Sequence, residues 1–135
     1  MTHLIDMSVL KRVRTPAVRE RVESLAAVGD LGRVTICDLE VGYSARTGAE
    51  WDRLIGALGA FVRVETSAGH VRRALQVQRL LAARSQRGRK LPDLLVAAAA
   101  EELDIAVLHY DSDFDHIAKV TGQRCEWVVE SGSVD

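Results

Sequence analysis

Short apolar runs that each end against an acid, separated by stretches of helical periodicity, constrain this chain more than any other feature. "HLI" at 3–5 meets Asp6, "VTIC" at 34–37 meets Asp38, and "IAVLHY" at 105–110 meets Asp111. "VRVE" at 62–65 ends on Glu65, and "CEWVV" at 125–129 completes the set. Runs this short and this apolar read as strands buried on both faces. A strand that must cross over through a helix before the next strand pairs parallel, with helices packed on both sides of the sheet. The expected fold class is therefore α/β, a three-layer α/β/α sandwich on a short, mainly parallel five-stranded sheet. At 135 residues the chain has the length of one domain. Residues 1–130 are expected to form it, with "SGSVD" at 131–135 as a frayed tail.

The intervening stretches carry helix signals. Thr15 is a candidate N-cap with Pro16 at the first helical position, and Val18, Val22, Leu25 and Ala26 fall on one face before Gly29. Asp38 is expected to cap "LEVGYSA", which puts Glu40 in the first turn after strand two. "EWDRLIGALGAF" reads as a helix. In "SAGHVRRALQVQRLLAARSQRG" the spacing predicts an inward face of Val71, Leu75, Gln78 and Leu81/Ala82, ending at Gly88. "PDLLVAAAAEEL" and "DFDHIAKVTG" complete the helices. Trp51 and Trp127 are expected to anchor apolar packing, and Cys37 and Cys125 to be reduced core thiols without metal-ligand spacing.

In an open parallel sheet, ligands bind at the carboxyl ends of the strands. Asp6, Glu40, Asp93 and Asp111 all fall there or at the adjoining helix starts. Singly, each is explained as a turn residue, a cap or a complement to a helix dipole. Jointly they repel: two carboxylates ~4 Å apart cost about 4 kcal/mol at an effective dielectric of ~20. An oxygen-only set of this kind favours Mg²⁺, with Mn²⁺ as substitute, over zinc.

"DSDFDH" at 111–116 leaves open a metal site, a calcium loop, a phosphorylation site or a solvated acidic turn. The calcium-loop pattern fails, since His116 and Gly122 stand where Gly and Glu are required. An Asp-x-Asp phosphatase would carry its motif after strand one. A phosphoacceptor receiver would need an Asp after strand three, where this chain has Glu65 and Thr66.

The net charge of −1 gives no general attraction to nucleic acid or to a membrane surface, so any basic surface is local. The one basic cluster is "ARSQRGRK" at 83–90. It suits a solvated helix C-terminus, and equally phosphate contact by Arg87, Arg89 and Lys90. No apolar run is long enough to span a bilayer, and "MTHLIDMSVL" is not a secretory signal, so the expected location is the cytoplasm.

"LIDMSVL", "CDLEVGYSAR", "LPDLLVAAAAEELDIAVLHYDSDFDHIA" and "TGQRCEWV" together resemble the PIN-domain ribonucleases, specifically the VapC-type toxins of bacterial toxin–antitoxin pairs. The resemblance runs from Met1 to about Val129 and is most specific from Pro92 to Asp115. It implies an α/β/α sandwich and Mg²⁺-dependent endonucleolytic cleavage of structured RNA, tRNA or rRNA, that inhibits translation. By similarity Asp6, Glu40, Asp93 and Asp111 are the catalytic and metal-holding acids, with Asp113 and Ser8 in support. Met7 departs from the usual small residue or Thr, and its side chain is expected to point away from the metal. The resemblance further implies a homodimer and a cognate antitoxin that inhibits it. The rival expectation is a noncatalytic partner-binding module, or a receiver-like domain, that uses the same acidic pocket.

Overall fold

The computed structural model describes residues 1–135. Five strands, β1 (His3–Ile5), β2 (Leu31–Val34), β3 (Val62–Val64), β4 (Ala106–His109) and β5 (Cys125–Trp127), form one sheet in the order β3-β2-β1-β4-β5. All four pairings are parallel. Between them run α1 (Met7–Leu10), α2 (Pro16–Ala27), α3 (Thr35–Tyr43), α4 (Gly48–Ala57), α5 (Ala68–Ala83), α6 (Leu91–Leu103) and α7 (Asp113–Thr121). The α/β class and five-stranded sheet are those expected.

Alternation along the strands divides the core in two. Leu4, Val34 and Val107 point to the side covered by α3, α5, α6 and α7. Ile5, Leu31 and Leu108 point to the side covered by α1 and α2, where Val9, Val18 and Val22 meet them. The alanine run of α6, buried from Ala97 to Ala100, lets that helix lie close to its neighbours. Chain direction across the sheet reverses between β1 and β4, which makes that seam the switch point.

Five local expectations change. Strand two is "LGRV" rather than "VTIC", and Thr35–Cys37 already belong to α3. A glycine and an arginine hid it. A Cβ on Gly32 would stand 3.1 Å from the Val62 carbonyl oxygen and closer still to the Met1 side chain. Arg33 is buried because Asp38 accepts its Nε at 2.9 Å and the Leu58 and Phe61 carbonyls accept its Nη1. Asp38 is thus the ion-pair partner of Arg33 in the first turn of α3 and not its cap.

The buried face of α5 is His70, Ala74, Val77 and Leu81, while Val71 and Leu75 are exposed. His70 is tolerated inside because its Nδ1 accepts from the Ser67 amide and its Nε2 lies 3.0 Å from Glu102. Trp51 is about half exposed, its indole lying over Gly42. The C-terminal residues fold back: Tyr110 donates its hydroxyl to the Val134 carbonyl at 2.7 Å, and Val134 packs against the α2-side core.

Candidate active site

The switch point between β1 and β4 opens into a cavity of about 410 Å³ lined by Asp6, Glu40, Asp93 and Asp111, with Ser8, Met7, Lys11, Arg12, Lys90, Tyr110 and Ser112. Each acid arrives by a different element. Asp6 leaves β1 and accepts the Ser8 amide at 3.0 Å as N-cap of α1. Glu40 comes from within α3, further along it than expected because that helix begins at Thr35. Asp93 sits in the first turn of α6, which starts beside Pro92. Asp111 follows β4 and accepts the Asp113 amide at 2.9 Å.

Ser8 ties the two central strands together at this edge. Its hydroxyl donates to Asp6 Oδ2 at 2.6 Å and accepts the Tyr110 amide at 2.9 Å. Asp113 does not line the cavity, but its carboxylate lies within 4.8 Å of those of Asp93 and Asp111.

Charge compensation divides the acids. Lys90 Nζ donates to Asp111 Oδ2 at 2.8 Å, and Arg89 Nη1 donates to Asp113 Oδ1 at 2.5 Å. Burial alone would raise the Asp111 carboxyl, but Lys90 and the Asp113 amide together bring it below the ordinary carboxylate range. Nothing comparable serves the other three. Burial, then the charges of Asp6 and Asp111, push Asp93 up to about 8. Burial also raises Asp6, against the pull of Ser8, and burial followed by the Asp6 charge raises Glu40. Each of the three also keeps one buried oxygen without a hydrogen-bond partner: Asp6 Oδ1, Glu40 Oε1 and Asp93 Oδ2.

Buried unpartnered carboxylate oxygens cost free energy unless something positive meets them. The three acids line one cavity with an all-oxygen donor set of the kind a hard divalent cation takes, and the carboxylate oxygens there that lie within 4.8 Å of one another are those of Asp93, Asp111 and Asp113. The donor set has no thiolate or imidazole, which argues against zinc.

Of the basic residues singled out in the sequence, Arg89 and Lys90 are bonded to the acids. Arg87 lies apart from them on a neighbouring cavity beside Leu75, Gln78 and Leu91. Met7, expected to face away, is among the lining residues. Lys11 and Arg12, which the sequence reading passed over, line the cavity too, and Arg12 lies over the Tyr110 ring at 4.6 Å. Their signal was available, since they follow Asp6 and Ser8 just past the end of the same short helix.

A parallel α/β sheet with a cluster of acids at its switch point defines an α/β protein with an acidic pocket, and comparison places it in a known family. The PIN-domain model matches residues 4–120, and the chain belongs to the PIN-domain family, in its VapC branch. It is similar to Ribonuclease VapC51 of Mycobacterium tuberculosis, with 61% identity across 100% of this chain and 98% of that one. It is also similar to Ribonuclease VapC21 of the same organism, with 42% identity over 97% of this chain and 96% of that one. The fold matches the crystal structure of VapBC2 from Rickettsia felis bound to a promoter DNA fragment and the structure of VapBC-1 from nontypeable Haemophilus influenzae, each with a TM-score of 0.76. Those two cover 93% and 96% of this chain and 98% and 100% of theirs, at 14% and 16% identity.

Proposed function

We propose that this chain is a divalent-metal-dependent endoribonuclease, the toxin of a toxin–antitoxin pair. The observation that carries the reading is the trio of buried, unpartnered oxygens on Asp6, Glu40 and Asp93. The relatives named Ribonuclease VapC support the substrate class, and the toxin–antitoxin complexes among the solved structures support an antitoxin partner.

Asp6, Glu40, Asp93 and Asp111 hold the ion, Mg²⁺ with Mn²⁺ as substitute. An ion held there would supply an acidified water for attack on a phosphodiester and positive charge beside the phosphate. The chain's own work is positional. Ser8 holds Asp6 Oδ2 and the Tyr110 amide together, fixing the ends of β1 and β4 relative to each other. Asp113, engaged by Arg89 through Oδ1, stands within 4.8 Å of Asp93 and Asp111 and supports them. Lys11, Arg12 and Lys90 ring the cavity with positive charge suited to the RNA backbone. Arg87, further along the same loop, extends that surface. Structured RNA, tRNA or rRNA, is the substrate, translation is what its cleavage stops, and the enzyme acts as a homodimer in the cytoplasm.

The test is incubation of antitoxin-free protein with total RNA in Mg²⁺, in Mn²⁺ and in chelator, beside Asp93→Asn. Discrete fragments that require both the metal and Asp93 are expected. Metal-independent cutting, or equal cutting by Asp93→Asn, refutes the proposal.

A further inference from the structure

Lys90 stands in an ambiguous position. It is the N-cap of α6, three residues before Asp93, yet its ammonium reaches across to Asp111 Oδ2 at 2.8 Å. The two basic residues that meet the acids differ in how firmly they are held. Arg89 is half-buried, gives its Nε to the Gln86 carbonyl at 3.3 Å, and shares its remaining group with the Gln86 side chain. The Lys90 side chain is 64% exposed and makes no hydrogen bond except to Asp111. It hangs on a flexible four-carbon stem, whereas the planar guanidinium of Arg89 is fixed at three points. The segment between α5 and α6 that carries both is bent by two residues of positive φ, Ser85 at 59° and Gly88 at 84°.

We propose that Lys90 is a displaceable counter-ion: it neutralises Asp111 until a divalent cation takes that carboxylate, and then turns outward onto a substrate phosphate. The inference rests on the metal-site reading above. An ammonium on Asp111 Oδ2 repels a divalent ion arriving at the same carboxylate and competes with it for that oxygen, and only Lys90 of the two basic groups can leave without breaking other bonds. Arg89 stays on Asp113 throughout, which holds the loop in place. Lys90 thereby couples the two ligands. Metal binding frees the side chain that receives RNA, and a phosphate on Lys90 removes the competitor for the metal. Lys90 acts as a positioning residue for both.

The chain has three lysines, Lys11, Lys90 and Lys119, so their reactivities can be read separately by acylating the full-length protein and mass spectrometry. With Mn²⁺ as probe, Lys90 acylation is expected to rise several-fold while the exposed Lys119 is unchanged. Calorimetry on Lys90→Met is expected to show Mn²⁺ bound about tenfold more tightly than by the parent, with weaker RNA retention. Lys90 reactivity that stays level or falls on adding Mn²⁺, or unchanged Mn²⁺ affinity in Lys90→Met, overturns the proposal and leaves the metal site standing. A parent protein that binds no Mn²⁺ overturns the metal-site reading itself.

Discussion

Asp93→Asn is expected to make the metal-free protein more stable, and increasingly so as pH rises. The folded state holds the Asp93 carboxyl up at about 8 against an ordinary 3.8, through burial first and then the neighbouring charges of Asp6 and Asp111. Between those two values the folded chain binds more proton than the unfolded chain. Stability therefore falls as pH rises through the window and levels off above about pH 8. One pH unit of displacement corresponds to about 1.4 kcal/mol, which sets a ceiling of about 6 kcal/mol.

The gain from the variant is smaller, because the asparagine amide inherits the unpartnered surroundings of Asp93 Oδ2 and itself needs a hydrogen bond. Removing the charge while keeping the shape is expected to yield about 2 kcal/mol at pH 8 and about zero near pH 4. For a chain of this length that is a rise in Tm of about 6 °C at the higher pH. Thermal unfolding of both proteins in chelator, followed by circular dichroism from pH 4 to pH 9, gives the two curves. Parallel curves, or an Asn variant that is less stable at pH 8, would refute a buried and uncompensated Asp93.

Three other outcomes follow from the same geometry. Saturating Mn²⁺, at about 100 times its Kd, should stabilise the parent by about 2.7 kcal/mol and leave Asp93→Asn nearly unmoved, as differential scanning calorimetry will show. Ser8→Ala, which takes a partner from both Asp6 Oδ2 and the Tyr110 amide, should cost about 1–2 kcal/mol in urea unfolding and lower RNA cleavage more than RNA binding. Asp38→Ala strands the buried Arg33 charge and should cost about 3 kcal/mol by urea unfolding, with metal affinity by calorimetry unchanged.

How far the sequence could be read depended on what each residue needed from distant ones. β1, β4 and α6 were legible because their apolar runs are continuous and end at once in an acid or a proline. The gathering of Asp6, Glu40, Asp93 and Asp111 at one edge followed from their places at the carboxyl ends of parallel strands or at the helix starts beside them. β2 was displaced because Arg33 looks like a surface residue until Asp38 and two carbonyls are seen around it. α5 was turned by one position for a similar reason: His70 is polar in composition but satisfied inside, while its apolar neighbours Val71 and Leu75 face outward. The split between compensated and uncompensated acids could not be seen either, since it is set by which carboxylates Arg89 and Lys90 reach.

The central position of β1 also governs when activity can begin. The first strand made is paired on one side by β2 and on the other by β4, which is the second-last strand to be synthesised. Asp6 therefore waits for nearly the whole chain before Asp111 can join it, and the Ser8 bridge to Tyr110 closes only then. Such long-range parallel pairing is slow compared with local helix formation. A nascent chain still in the ribosome thus lacks an assembled acidic cluster until its own synthesis is almost complete.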